Sequence, residues 1–375
     1  MPFTVFGNPQ CQYKKQQHPN VDFPQLQDTV VDSATITTPA SESTSAAFRQ
    51  TTCANGYIAS HVVDVLLEEG YNVRGTVRAE KPWLNEYFDD KYGQGRFETV
   101  IVQRMEDESS FDAAVKGVSG VVHIASDLSV SPDPNLVIPK VVAGSLNLME
   151  AAATQPLIKS VVLTSSCAAS YVIGSSSKTV IDRDTWNDAA VNAAWSDDTP
   201  QEARGFQVYA ASKVEGERQA WKWVEKNKPR FAFNTVLPPF NVGPILSPEI
   251  GGSTMGFIRQ LLKGDDFVTK LLPPQWYINV RDDARVHVAA LLDPTVQSQR
   301  LFPFAAPFNW TDMIDLLRRL RPDNDNTPAP PPNEGQDTME IKPRDQAEDL
   351  IKSFFGVPGY TGLEESVMAG LEGLA

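Results

Sequence analysis

From about Cys53 onward, short apolar runs alternate with stretches in which apolar residues recur every three or four positions, and that alternation restricts the chain to few folds. Ile58 to Glu69 places Ile58, Val62, Val65 and Leu66 on one helical face, with Gly70 as a stop. Tyr71 to Arg78 alternates Val73, Gly75 and Val77 inward, as a strand does. Residues 97–102, 120–125, 160–166 and 231–237 are short apolar runs of the fully buried kind, separated by helical stretches at 135–153 and 206–227. Strands divided by helices at this spacing predict βαβ units and a parallel, doubly wound sheet, an α/β fold.

After Pro238 the rhythm loosens. Proline and glycine break the chain (PPFNVGPILSPEIGG, LLPPQW), a helix returns at 282–292, and TPAPPP at 327–332 reads as an exposed loop before two terminal helices. The expected organisation is a nucleotide-binding domain over 53–245, with 275–300 returning to it. A smaller substrate-binding lobe is expected from 246–274 and 301–375. Residues 1–52 differ from the rest: rich in Gln, Thr, Ser and Pro and without sustained period, they predict a disordered tail.

Charge and cysteine content exclude several classes. The 33 basic and 47 acidic residues leave a net charge of −14, which repels phosphate backbones, and no basic patch offsets it. Neither a nucleic-acid partner nor a membrane is expected. Cys11, Cys53 and Cys167 form no ligand cluster, so no metal site or disulfide scaffold is expected and a reducing cytoplasm fits. The opening MPFTVFGNPQCQYKK lacks the apolar core of a secretory signal.

Two segments carry chemistry. Cys53-Ala-Asn55-Gly56-Tyr57-Ile58-Ala59 opens the first clear helix, where a dinucleotide fold wants glycines so that backbone can approach a pyrophosphate at the helix N-terminus. Only one glycine of such a set stands; an ordinary Asn-Gly turn is the bland alternative. Tyr209 and Lys213 are four apart on a helix and share a face, so that the ammonium, with a bound cofactor, would favour phenolate and lower the phenol pKa. A second copy of the spacing, Tyr87 to Lys91, has no serine-bearing strand upstream and reads as surface decoration. Arg78 closes the second strand, where an arginine accommodates a 2′-phosphate and an acidic residue would bind a free ribose hydroxyl. NADPH/NADP is therefore the expected cofactor, with Lys81 as a second contact. His123 and His287 read as core or helix-packing residues.

Taken together, VVLTSSCAAS, YAASKVEGE, NGYIASHVVDVLLEEGYNVRGTVR, VVHIASD and INVRDDARVHVAAL resemble an extended short-chain dehydrogenase/reductase of the epimerase/dehydratase superfamily. The likeness is to fungal and yeast aldehyde and ketone reductases and plant dihydroflavonol reductases, and it runs from about Asn55 nearly to the C-terminus. It implies a Rossmann-type sheet, with Ser166 holding a substrate carbonyl oxygen, Tyr209 donating a proton and Lys213 tuning Tyr209 and binding the nicotinamide ribose. By the same likeness Ala125 and Ser126 lie along the cofactor and Pro238 near its carboxamide. The implied activity is NADPH-dependent reduction of a ketone or aldehyde, aromatic or of secondary-metabolite type, by a monomer or homodimer. Phe206, Phe240, Trp276 and Tyr277 are the aromatic candidates near the pocket, with ordinary core as their other reading.

Five positions depart from that pattern. Cys53 stands where the first glycine belongs, in a turn that favours positive φ. Arg104 replaces a usual acidic residue and could stack on adenine. Pro239 stands where asparagine is common. The first strand, SAAFRQTTC, puts Arg49 and Gln50 where a doubly buried strand wants apolar residues, so residues 1–52 also read as a wrongly joined segment. These departures keep two alternatives open: a non-catalytic NADP-binding protein, and a nucleotide-sugar epimerase or dehydratase.

Overall fold

The computed structural model describes residues 48–174 and 179–373. Seven strands make its main sheet: β1 (Phe48–Thr51), β2 (Asn72–Val77), β3 (Phe97–Ile101), β4 (Gly120–His123), β5 (Ser160–Thr164), β6 (Ala232–Val236) and β7 (Arg300–Leu301). All pair in parallel, in the order β3-β2-β1-β4-β5-β6-β7. The order reverses between β1 and β4, and this is the arrangement of a doubly wound nucleotide-binding fold, which opens a crevice beyond the carboxyl ends of the strands. Every residue of β4 and β5 is buried, as their unbroken apolar runs require.

Helices cover both faces of the sheet. On one face, α1 (Tyr57–Glu68) lies against α5 (Val280–Leu292), and the two enclose a core that includes Val62, Leu66, Val73 and Val286. On the other, α3 (Pro134–Ala153) packs on α4 (Gln201–Asn227). The α3 helix starts where Asp133 accepts the Asn135 amide and Pro134 occupies the first turn. It is long and apolar enough to cross a membrane, and half of its most apolar window is buried inside the protein. The α5 helix starts at Asn279, whose side chain accepts the Arg281 amide at 2.8 Å. Asp282 and Asp283 in its first turn suit the positive end of the helix dipole.

The strand from Phe48 to Thr51 corrects the tail reading for residues 48–52. It lies in the middle of the sheet, with Arg49 opposite Val73 on β2 and Gly120 on β4. Gly120 makes the arginine possible: a Cβ there would sit 3.1 Å from Arg49 Cδ. The guanidinium lies 4.6 Å from the centroid of the Tyr71 ring and bonds to the Ser119 hydroxyl. Its apolar stem is covered while its charge reaches the rim of the sheet. Burial pulls the Arg49 pKa below the ordinary guanidinium value. Residues 1–47 lie outside the described residues.

The smaller lobe is less contiguous than the sequence boundaries imply. Strands 240–242 and 275–279, both expected in the nucleotide-binding part, form a three-stranded sheet with 306–308. Strand 340–341 pairs with 180–181. Conversely α6 (Arg344–Phe355), expected in the lobe, packs on α5 and puts Ala347 and Ile351 into the main core. Tyr87 also packs against that core, and Lys91 forms a 2.6 Å ion pair with the buried Asp64. The Tyr87–Lys91 spacing is therefore structural rather than surface decoration.

Candidate active site

A groove runs past the carboxyl ends of β1, β2, β4 and β5. Its outer part, about 640 Å³, is bounded by Cys53, Asn55, Arg78, Arg104, Ala125 and Ser126. Its inner part, about 190 Å³, is bounded by Gly56, Tyr57, Ile58, Ser166, Tyr209, Lys213 and Pro238. Cys53, Ala125, Ser126 and Leu128 line both parts, so the two adjoin. Every expected site residue except Lys81 therefore meets in one place. Lys81 does not line the groove; it sits at the N-terminus of α2 (Pro82–Tyr92).

The turn between β1 and α1 is fastened on both sides. Thr52 Oγ1 accepts the amides of Ile124 at 2.7 Å and Ala125 at 2.8 Å, which ties it to the end of β4. The Cys53 amide donates to Thr76 Oγ1 and the Ala54 amide to the Thr76 carbonyl, which ties it to β2. Cys53 adopts φ +57°, the left-handed region that a side chain enters at a cost of about 1–2 kcal/mol. Gly56 leaves little room for a side chain, since its Cβ would lie 3.1 Å from the Cys53 carbonyl oxygen, which would have to give by a few tenths of an ångström. Burial pushes the Cys53 thiol up and the Arg78 charge opposes it only partly, so the sulfur is a neutral wall of the groove.

The N-terminus of α1 opens on this groove with no side chain capping it. Uncapped amides and the helix dipole suit an anion such as a pyrophosphate. Ser126 Oγ is buried at the junction of the two parts without a hydrogen-bond partner, a group awaiting a polar ligand. Arg78 is exposed on the outer wall. Arg104 is also there, but it leans on Glu106 at 3.2 Å and Asp107 at 3.4 Å. The donor set thus fits a dinucleotide carrying an extra phosphate near Arg78.

At the inner end, the strand end after β5 presents Ser165 and Ser166. Its backbone is held by the Ser165 amide to the Val236 carbonyl and the Cys167 amide to the Pro238 carbonyl. Ser166 Oγ accepts the Ala168 amide at 3.2 Å. Tyr209 and Lys213 project from one face of α4 into the same cavity. Burial raises the Tyr209 phenol to about 12; a hydrogen bond with Ser166 pulls the other way. Burial lowers Lys213 to about 8, against the field of Glu217, and its amine donates to the Thr164 carbonyl at 3.3 Å. Without a bound cofactor the expected lowering of the phenol is not seen, because desolvation outweighs the Ser166 hydrogen bond.

Three of the four aromatic candidates are core. Phe240, Trp276 and Tyr277 are buried and do not line the groove, whereas the Phe206 ring lies 6.0 Å from that of Tyr209. Residues not singled out from the sequence also take part: Thr52, Leu128, Asn241, Ser253 and Thr254. Thr52 directly follows the doubted strand, Leu128 lies in a loop, Asn241 in the short strand 240–242, and Ser253 and Thr254 in the first turn of a helix, none with a spacing signal.

Strand order and a crevice with an uncapped helix N-terminus define a Rossmann-type nucleotide-binding protein. The family model described as "NAD dependent epimerase/dehydratase family" matches residues 52–301, and the chain belongs to that family. Ketoreductase adrE of Penicillium rubens is 48% identical over 324 residues, covering 85% of this chain and 94% of the relative. Aldehyde reductase 2 of Sporidiobolus salmonicolor is 37% identical, covering 84% of this chain and 92% of its own. Among solved structures, a reductase engineered to attenuate substrate inhibition in asymmetric catalysis superposes with a TM-score of 0.72 at 26% identity, covering 86% and 98% of the two chains. The yeast methylglyoxal/isovaleraldehyde reductase Gre2 complexed with NADPH gives 0.71 at 22% identity, covering 86% and 96%.

Proposed function

We propose that this protein is an NADPH-dependent reductase that converts a ketone or aldehyde to an alcohol. The observation that carries the reading is the meeting of Ser166, Tyr209 and Lys213 in one cavity that adjoins the cavity lined by Arg78. The relatives named ketoreductase and aldehyde reductase support the carbonyl class, and the NADPH complex of Gre2 supports the cofactor.

Arg78 would bind the 2′-phosphate, the α1 N-terminus the pyrophosphate, and Ala125, Ser126 and Pro238 would line the nicotinamide half. When bound, NADPH supplies the hydride. Ser166 Oγ and Tyr209 Oη hold the carbonyl oxygen between them, and Tyr209 passes its proton to that oxygen as negative charge develops. A phenol held near 12 by burial stays protonated at neutral pH, which suits a proton donor. Lys213, poised near 8, supports the phenolate that is left behind and binds the nicotinamide ribose. Leu128, exposed at the mouth, and Pro239 give the substrate an apolar wall, and Phe206 beside Tyr209 favours a flat or aromatic substrate.

The test is Tyr209→Phe. Loss of the proton donor should lower kcat by about 10²–10⁴-fold while NADPH still quenches tryptophan fluorescence. Arg78→Ala in the same titration should erase the preference for NADPH over NADH. A Tyr209→Phe variant as active as the wild type would sink the assignment. One observation favours a second reading, a non-catalytic NADP-binding protein: the Cys53 side chain in the phosphate turn. That protein would bind NADPH but would reduce no carbonyl compound, with or without the phenol.

A further inference from the structure

Below the cavity lies a buried carboxylate with an unusual number of donors. Glu217 is one helical turn beyond Lys213, so Tyr209, Lys213 and Glu217 form a single stripe on α4. Its side chain is wholly buried. Oε1 accepts from Arg300 Nε at 2.7 Å, Thr235 Oγ1 at 2.8 Å and Trp221 Nε1 at 3.2 Å. Oε2 accepts from Ser165 Oγ at 2.7 Å and from the second Arg300 nitrogen at 3.3 Å. Arg300 in turn donates to the carbonyls of Arg183 and Thr185 and stacks 4.0 Å above the Trp186 ring.

A carboxylate offers about four lone-pair sites, and five donors leave none for another cation. Although Lys213 is the neighbour on the helix, no carboxylate among the described residues lies within ion-pair distance of its amine. Desolvation makes a buried ion pair a poor source of stability in itself, so this pair invites a role in specifying the site. We propose that Arg300 and Glu217 are positioning residues: by filling both oxygens of Glu217, the network keeps the Lys213 amine free for Tyr209, and through Ser165 it pins the strand end that presents Ser166. The inference rests on the reductase reading of Ser166, Tyr209 and Lys213.

Arg300→Met keeps a long apolar stem and removes two of the five donors. Lys213, one turn away, is the cation able to replace them, and a bond to Glu217 draws it off Thr164 and away from the phenol. The groups facing Lys213 are Tyr209 and Glu217 on its own helix and His123 on β4. His287, with Asp283 behind it, reaches the side chain of Thr164. His123 is held neutral by burial, pushed down to about 3, and so does not titrate in the working range.

In the alcohol-oxidation direction, the limb of kcat/KM that reports phenolate should move upward by about one pH unit in Arg300→Met, with kcat at least about tenfold lower. Arg300→Lys should hold the limb in place, and Thr235→Val should move it the same way by less. A purely structural role would lower the melting temperature without moving the limb. A crystal structure of Arg300→Met should place Lys213 Nζ in hydrogen-bond contact with Glu217, a readout independent of turnover. A folded Arg300→Met with its limb unmoved and its amine still on the Thr164 carbonyl would overturn the proposal. If that variant does not fold, an unmoved limb in Thr235→Val does the same. Failure of the reductase reading looks different, since Tyr209→Phe would then match the wild type.

Discussion

At Cys53 a side chain occupies backbone that favours glycine, at the spot where the groove narrows from its outer to its inner part. The left-handed conformation costs a non-glycine residue about 1–2 kcal/mol, and glycine's extra freedom in the unfolded chain costs about 0.5–1 kcal/mol. The two nearly offset each other, so Cys53→Gly should leave the melting temperature within a few degrees of the wild type. Binding should respond more. Removing the Cβ and the neutral thiol clears the approach to the α1 N-terminus, and NADPH affinity is expected to rise about tenfold, or about 1.4 kcal/mol. Isothermal titration of both proteins measures it. Equal dissociation constants would mean that the Cys53 side chain already lies clear of the phosphates.

Among the elements, β1 shows where sequence reasoning works and where it stops. The runs at β4, β5 and β6 are buried on both faces and were legible as strands from composition alone. Arg49 and Gln50 hid β1, because what accommodates Arg49 is remote in sequence: Tyr71, Ser119 and the missing side chain of Gly120. The site divides in the same way. Tyr209 and Lys213 were legible because helix geometry relates residues four apart, and Glu217 is one more step along that stripe. Its partner Arg300 is 83 residues away on an edge strand and carries no local signal.

Gln50 has no such accommodation: it is wholly buried, and neither its amide nitrogen nor its oxygen has a partner. An unpaired buried amide costs about 1–3 kcal/mol. Gln50→Leu, of similar size, should therefore raise the free energy of urea unfolding by that amount. A loss of stability on substitution would show that the amide is held in solution after all. A chain beginning at Cys53 should fail to fold, since it lacks the strand between β2 and β4.

For the molecule as a whole, two of the buried histidines, His61 and His123, govern the response to mild acid. Burial is the main cause in both: it lowers His61 to about 4, against hydrogen bonding to the Pro244 carbonyl, and His123 to about 3, with the Lys213 charge adding to it. In the unfolded chain each would titrate near 6.5. Below that pH the unfolded state binds protons that the folded state refuses, so stability falls as pH drops. With two such groups the slope approaches about 3 kcal/mol per pH unit once pH is well below 6.5, and the loss between pH 7.5 and 5 is about 4 kcal/mol. It levels off only once the folded protein is itself protonated, near pH 3. Urea unfolding at pH 7.5, 6 and 5 should trace this curve, and His61→Gln, which can keep a donor toward Pro244, should remove about half of the slope. A free energy of unfolding that stays flat from pH 7.5 to 5 would mean that neither imidazole is shielded as this core requires. In that case the Thr52–His123 contact that ties β1 to β4 beneath the groove would itself be open to water.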